Sequence, residues 1–249
     1  MPQPLAIRLI IKRDDMPAKT HPNSVPPELS SEPPEQMMRE KAYERIEALL
    51  NSGALKPGQL VSQRELVKLT DTTLGSVREA IARFQTEGLL IPLPKRGLMV
   101  PSMDIQFVRE AYELRSVLEL AAVDAAMRNI PKDTLELWIR EFERAEDAAP
   151  GQEQEHADAL QKLDWSMHNA LIGSMHNELF LNVYRVTAIK IRMAVQYRLR
   201  VTPFNAERVG REHLAFLIPM REGRAEAAKS ALQQHLDNSL TLALGGTVA

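Results

Sequence analysis

The sequence predicts a mainly α-helical protein, with a small N-terminal winged helix-turn-helix followed by an all-helical bundle. Three observations carry the prediction. Apolar residues recur at three- and four-residue steps from Glu35 to Gly53 and again through almost everything beyond Asp104. The period changes only between Gly88 and Pro101, where two short apolar runs bracket a basic turn. At 249 residues the chain suits two compact domains better than one.

The elements follow in order. Pro17, Pro22, Pro26, Pro27, Pro33 and Pro34 lie among Ser, Asn and Glu, so residues 1–35 read as a disordered extension. Met38, Ala42, Ile46 and Leu49 then mark one face of a first helix, which Gly53 ends. Leu55-Lys56-Pro57-Gly58 is a turn. Ser62 with Glu65 three residues on is a capping box, opening a short helix that reaches about Lys68. Thr70-Asp71-Thr72-Thr73 breaks it. Val77, Ile81 and Phe84 give a third helix that stops at Gly88. Leu89-Leu90-Ile91 and Leu98-Met99-Val100 are strand-like and predict a two-stranded hairpin with Lys95-Arg96-Gly97 at its tip. Residues 36–101 thus form one domain. Helices are expected at 104–129, 132–148, 153–175, 177–200, 205–221 and 224–244, with breaks at Pro131, Pro150-Gly151, Asn177, Pro203 and Gly223. They make a second domain spanning 104–245.

Charge is divided unevenly. Residues 38–101 carry ten Lys/Arg against seven Asp/Glu, whereas residues 102–249 carry seventeen against twenty-one. A mildly basic module on an acidic body fits a DNA-binding head. The chain has no cysteine, which removes disulfide and thiolate chemistry. The apolar patch Leu5–Ile11 is interrupted by Arg8 and too short for a signal-peptide core, and no run approaches the ~20 residues of a membrane span. A cytoplasmic protein without membrane contact is expected.

A helix that reads DNA must enter the major groove with its N-terminal residues at base edges, braced by the helix before it. Thr72, Thr73, Gly75 and Ser76 occupy that end of the third helix; they are small and polar, and free amides there suit phosphates. Arg78 lies one turn in and Arg83 further along. Lys95 and Arg96, before Gly97, suit a wing tip that reaches phosphates or the minor groove. Any one of these arginines would by default be a solvated charge. The order of the elements and the basic tip favour DNA contact for the set.

Gly53-Ala54-Leu55-Lys56-Pro57-Gly58-Gln59, Ser76-Val77-Arg78-Glu79-Ala80-Ile81, Glu87-Gly88-Leu89-Leu90 and Arg96-Gly97 resemble, in family order, the GntR regulators of bacteria. With the helical half, residues 38–245 are similar to the FadR-type branch, whose ligand-binding domain is called FCD. Members usually carry Ser-Arg-Thr-Pro where this chain has Thr73-Leu74-Gly75-Ser76. Leucine therefore stands where an arginine would touch DNA, and the resemblance implies an operator core unlike the family's common one.

The helical half also holds a candidate metal site. Asp164 and His168, four apart, point from one helix face. His213 precedes the Glu222-Gly223 turn by about ten residues and His235 follows it by about twelve, which sets them at nearly equal height on antiparallel helices. Three imidazoles and one carboxylate suit Zn²⁺, Ni²⁺, Mn²⁺ or Fe²⁺, with a net positive charge and an open position that a carboxylate can fill. Taken without any resemblance, such residues are more often hydrogen-bonded core histidines than metal ligands. Metal-binding FCD domains carry an Asp, a His four positions later and one His on each of the last two long helices, so the resemblance implies a divalent metal on these four residues. It also implies that Arg115 lines the pocket; a salt bridge to Glu119, one turn on, is the alternative. His21, His156 and His176 read as surface residues.

The expected function is a homodimeric transcription regulator, by family leaning a repressor, whose affinity for a double-stranded operator responds to a small carboxylate effector. It is expected not to be an enzyme. A metallohydrolase reading lacks a base placed like the glutamate of a His-Glu-x-x-His helix; a pure metal sensor is the remaining alternative.

Overall fold

The computed structural model describes residues 34–248, with the side chains of residues 34 and 195–197 excepted, so most of the expected extension 1–35 and His21 lie outside it. The N-terminal part runs α1 (Pro34–Ser52), β1 (Leu60–Val61), α2 (Gln63–Thr70), α3 (Leu74–Thr86), β2 (Ile91–Leu93) and β3 (Gly97–Met99). The helical part contains α4 (Ile105–Asn129), α5 (Lys132–Glu143), α6 (Glu153–Gly173), α7 (Glu178–Leu199), α8 (Ala206–Arg221) and α9 (Ala225–Ala243).

In the head, the Ser62–Glu65 capping box forms and starts α2, and Asp71 in the left-handed conformation ends it. Thr73 caps α3 by accepting from the Ser76 amide. The sheet has a third strand that the sequence pattern did not announce: β3 lies between β1 and β2, antiparallel to both. The wing also begins later than expected. The amides of Leu89 and Leu90 both bond to the Phe84 carbonyl and close α3, and their side chains plug the core. Gly97 turns at φ +94, and a Cβ there would meet the Val61 carbonyl oxygen at 2.9 Å. A glycine is required for β3 to pass β1 at all.

In the body, α5 stops at Glu143 rather than near 148. The carbonyls of Arg144 and Ala145, which a longer helix would have used, lie 2.9 and 3.1 Å from His156 Nε2. His156 is therefore half-buried and structural, which corrects the surface assignment; His176 is exposed as expected. The main core gathers Trp138 and Phe142 of α5, Met167 and Leu171 of α6, and Phe216 and Leu217 of α8. α8 crosses α5 closely at Gly210, where a Cβ would be 2.7 Å from both the Phe142 carbonyl oxygen and the Ala145 Cβ.

α7 belongs to both parts. Ile189 and Met193, one turn apart, are buried in the same core as Ile46, Leu50 and Phe84 of the head, while Tyr184 and Ala188 belong to the body's core. Burying a side chain of that size contributes about 1.5–3 kcal/mol.

Candidate functional site

Four side chains from three helices meet inside the bundle: Asp164 and His168 of α6, His213 of α8 and His235 of α9, with one donor atom from each lying within 4.8 Å of the others. The rings are aimed from outside. His168 Nδ1 is 2.7 Å from Glu119 Oε2, His213 Nδ1 donates to the Val209 carbonyl at 2.7 Å, and His235 Nδ1 is 2.9 Å from Glu212 Oε2. Each acceptor favours hydrogen on Nδ1, which leaves the Nε2 lone pairs facing inward.

That arrangement leaves negative density unanswered. His168 Nε2 is buried without a hydrogen bond among the described residues, with Asp164 Oδ1 3.4 Å away. His213 Nε2 lies 2.8 Å from the same oxygen. A ring protonated at Nδ1 would there set lone pair against lone pair, so a cation or a second proton is needed between them. Asp164 resists the upward pull of burial and stays well below the usual carboxylate range because the imidazoles of His168 and His213 lie beside it. Burial pulls His235 down to about 4, which keeps it neutral. Burial also lowers His168, but the Glu119 charge beside it outweighs that and raises it overall. Glu212 would be raised by burial, yet the His235 hydrogen bond brings it to about 2. Three inward-facing Nε2 atoms, that of His168 left without a hydrogen bond among the described residues, and an ionised carboxylate are donors of the kind a divalent ion takes, so the residues fit a metal.

A cavity of about 330 Å³ adjoins the cluster. Arg115, Trp165 and Arg192 line it, and Asn51 and Ser52, at the end of α1, close it from the head's side. Arg115 both lines the cavity and pairs with Glu119, Nε to Oε1 at 2.5 Å. The two readings of Arg115 therefore coexist. Glu119 is fully buried and also accepts from Tyr184 Oη at 2.7 Å. Arg192 is placed differently. Its Nε donates to Asn51 Oδ1 at 2.8 Å and its guanidinium sits 4.9 Å from the Trp165 ring centroid. Among the described residues it makes no ion pair, and burial pulls its pKa down to about 10.

On the head, Thr73, Leu74, Gly75 and Arg78 form an exposed edge at the start of α3. Arg78 Nε bonds to Gln63 Oε1 of α2 at 3.2 Å. Thr72 and Ser76 are instead buried: Thr72 Oγ1 is 2.7 Å from Thr70 Oγ1, and Ser76 Oγ is 2.9 Å from Thr73 Oγ1. Their hydroxyls shape the turn rather than reach outward. Arg83 points away from that edge, with its guanidinium 3.9 Å over the Tyr43 ring and its Nε 3.3 Å from Glu87. Lys95 and Arg96 are exposed at the hairpin tip, while Gly97 serves the sheet.

Comparison with known proteins agrees with this architecture. Residues 38–100 match the model of the bacterial regulatory proteins of the gntR family, and residues 110–238 match the FCD domain. The chain belongs to the GntR family, in the branch that carries an FCD domain. It is a DNA-binding transcription regulator with a C-terminal effector-binding domain. The Nta operon transcriptional regulator of Aminobacter aminovorans is 26% identical over 195 residues, covering 76% of this chain and 89% of the relative. A putative L-lactate dehydrogenase operon regulatory protein of Escherichia coli is 24% identical over 225 residues, covering 80% and 83%. Among solved structures, E. coli McbR/YncC superimposes with a TM-score of 0.71 at 16% identity, over 83% of this chain and 97% of that one. A GntR regulator from Rhodococcus gives 0.63 at 19% identity, over 85% and 100%.

The winged head and the FCD domain are joined by charge as well as by α7's apolar face. Arg185 donates to Glu47 at 2.8 Å and to Glu87 at 2.6 Å, and also bonds to Tyr43 Oη. Sequence reasoning missed this joint, along with Glu212, Tyr184 and Asn51, and could not orient Arg192. The one local signal was the four-residue step from Arg115 to Glu119.

Proposed function

We propose that this GntR regulator is a homodimeric repressor of the cytoplasm whose grip on its operator is governed by a small carboxylate bound beside a divalent metal in the FCD domain. The observation that carries the reading is the anchoring of all three histidines at Nδ1, which turns three Nε2 atoms and Asp164 toward one point on the wall of the cavity. Asp164, His168, His213 and His235 would hold Zn²⁺, Ni²⁺, Mn²⁺ or Fe²⁺. A bound ion would supply fixed positive charge for a carboxylate. The chain's own residues do the rest: Glu119, Glu212 and the Val209 carbonyl orient the imidazoles, and Arg115 offers its remaining donors to the effector. A relative named for an L-lactate dehydrogenase operon favours an organic acid as signal.

On DNA, Thr73, Gly75 and Arg78 would face the major groove, with the amides at the start of α3 near a phosphate. Thr72 and Ser76 hold that turn. Lys95 and Arg96 would carry the wing to the backbone, Gly97 would let the wing turn, and Arg83 would steady α3 against α1. Leu74, exposed at the edge, suits a thymine methyl. Apolar Leu179, Phe180 and Val183, exposed at the start of α7, offer a face for the second copy.

The test is footprinting of metal-loaded protein on the DNA upstream of its own gene, with and without a panel of carboxylates, alongside metal analysis. Protection of a two-fold sequence that is released by an acid only in the presence of metal is the expected result. Protection indifferent to metal and to every acid would overturn the reading.

A further inference from the structure

Four arginines line the cavity, and their charges are not equivalent. Arg115 is matched by buried Glu119 at 2.5 Å. Arg208, also on the wall, is matched by Glu212 at 2.8 Å, and Arg200 by Asp158 at 2.9 Å. Lys162 is exposed at the rim and lies in the field of Asp158. Of the four arginines, Arg192 alone faces the cavity with no carboxylate in contact among the described residues; a neutral amide and an aromatic face are its partners. A half-buried guanidinium left with neutral partners is a standing invitation to an anion, because a charge-assisted pair is worth more than a bond to an amide. A metal with a single carboxylate in its shell, Asp164, adds one further unmatched positive charge. The cavity wall thus has room for two negative charges, at two separate places.

The neutral partner matters because of where it comes from. Asn51 is in the last turn of α1, on the DNA-binding head, whereas Arg192 is on α7. The Nε donor that an incoming acid would want is the one that now holds the head to the pocket.

We propose that the effector carries two acidic groups, and that the group not on the metal is taken by Arg192, which exchanges its hydrogen bond to Asn51 for it and so frees the end of α1. The inference rests on the carboxylate-and-metal reading above and names the effector's class and its coupling to the head. A diacid would bridge the metal and Arg192, while a monoacid would satisfy only one of them and leave the head tied.

The test is calorimetric titration of zinc-loaded full-length protein with matched pairs: acetate and malonate, propionate and succinate, butyrate and glutarate. At least one diacid should bind about ten- to a hundredfold tighter than its partner monoacid. Arg192→Gln should abolish that preference. Asn51→Ala, which removes the competing acceptor, should tighten diacid binding, a gain that misfolding could not produce. Hydrogen exchange should rise over residues 48–52 of the wild type when the diacid is bound. Equal, zinc-dependent affinity for both members of every pair would overturn the inference while the carboxylate reading stands. Preference surviving in Arg192→Gln, or no tightening in Asn51→Ala, would overturn the role of Arg192. No zinc-dependent binding of any acid would overturn both readings.

Discussion

Glu119 of α4 and His168 of α6 meet at 2.7 Å, so the imidazole that offers Nε2 to the cluster is held in place from a different helix. Glu119 also ties Arg115 and Tyr184 to the same point. Its carboxylate thus orients a metal ligand and neutralises a cavity arginine at once.

Glu119→Gln keeps the shape and removes the charge. It should weaken metal binding by about ten- to a hundredfold, the usual cost of losing an orienting carboxylate. Competition against a chromophoric chelator reads the affinity directly; an unchanged constant would show that His168 needs no such partner.

His168→Ala and His235→Ala each remove one of the four donors. Both should lower metal content below one ion per chain and abolish the stabilisation that metal gives. At a hundredfold excess over the dissociation constant that stabilisation is about 2.7 kcal/mol. Chelation should lower the melting temperature of the wild type and leave these variants unmoved, which differential scanning fluorimetry can check.

Gly210→Ala pits two rules against each other. Within a helix interior alanine is normally favoured over glycine by about 1 kcal/mol. Here a Cβ would come within 2.7 Å of the Phe142 carbonyl oxygen, and overpacking of that kind costs about 1–3 kcal/mol. The variant should be less stable in denaturant. It should also bind metal more weakly, because His213, one turn on, stacks on Phe142 with ring centroids 4.3 Å apart. A stabilised variant would mean that α5 and α8 separate freely.

Arg185→Gln removes the cation between Glu47 and Glu87 and leaves two facing carboxylates. All three side chains remain partly exposed, so the loss should be modest, about 1 kcal/mol after solvent screening. The more telling readout is the shape of the unfolding curve: the loss should fall on the joint and separate the head's transition from that of the FCD domain.

Leu74→Arg restores the residue usual in the family at the exposed start of α3, where Leu74 is 40% exposed. An arginine that reads guanine bidentately discriminates by about 1–3 kcal/mol. Selection from random duplexes should therefore recover a guanine at one position of each half-site for the variant and not for the wild type. Identical selected sites would place Leu74 away from the bases.

Much of this was legible in the chain. The Ser62–Glu65 box, the glycine and proline stops and the helical period located the helices of both parts, because those signals act within a few residues. Asp164 and His168 were legible for the same reason, and His213 with His235 through the turn between their helices. The two-residue β1 has no periodicity to detect, and Leu89 and Leu90 look like a strand although they close a helix. Glu119, Glu212 and Arg192 were beyond reach for a different reason. What each does depends on a partner from another helix, as with Glu119 and His168, 49 residues apart, and spacing does not carry that information.

Ile189 and Met193 give α7 a second allegiance, since they fill the head's core from a helix that belongs in sequence to the other half. A chimaera cut at residue 101 would leave the transplanted head with an open socket, and the recipient with two stranded apolar side chains. To exchange operator specificity between relatives, a designer would have to graft the α7 stripe Arg185–Ile189–Met193 together with the head, as though the wing ended some ninety residues after its last strand.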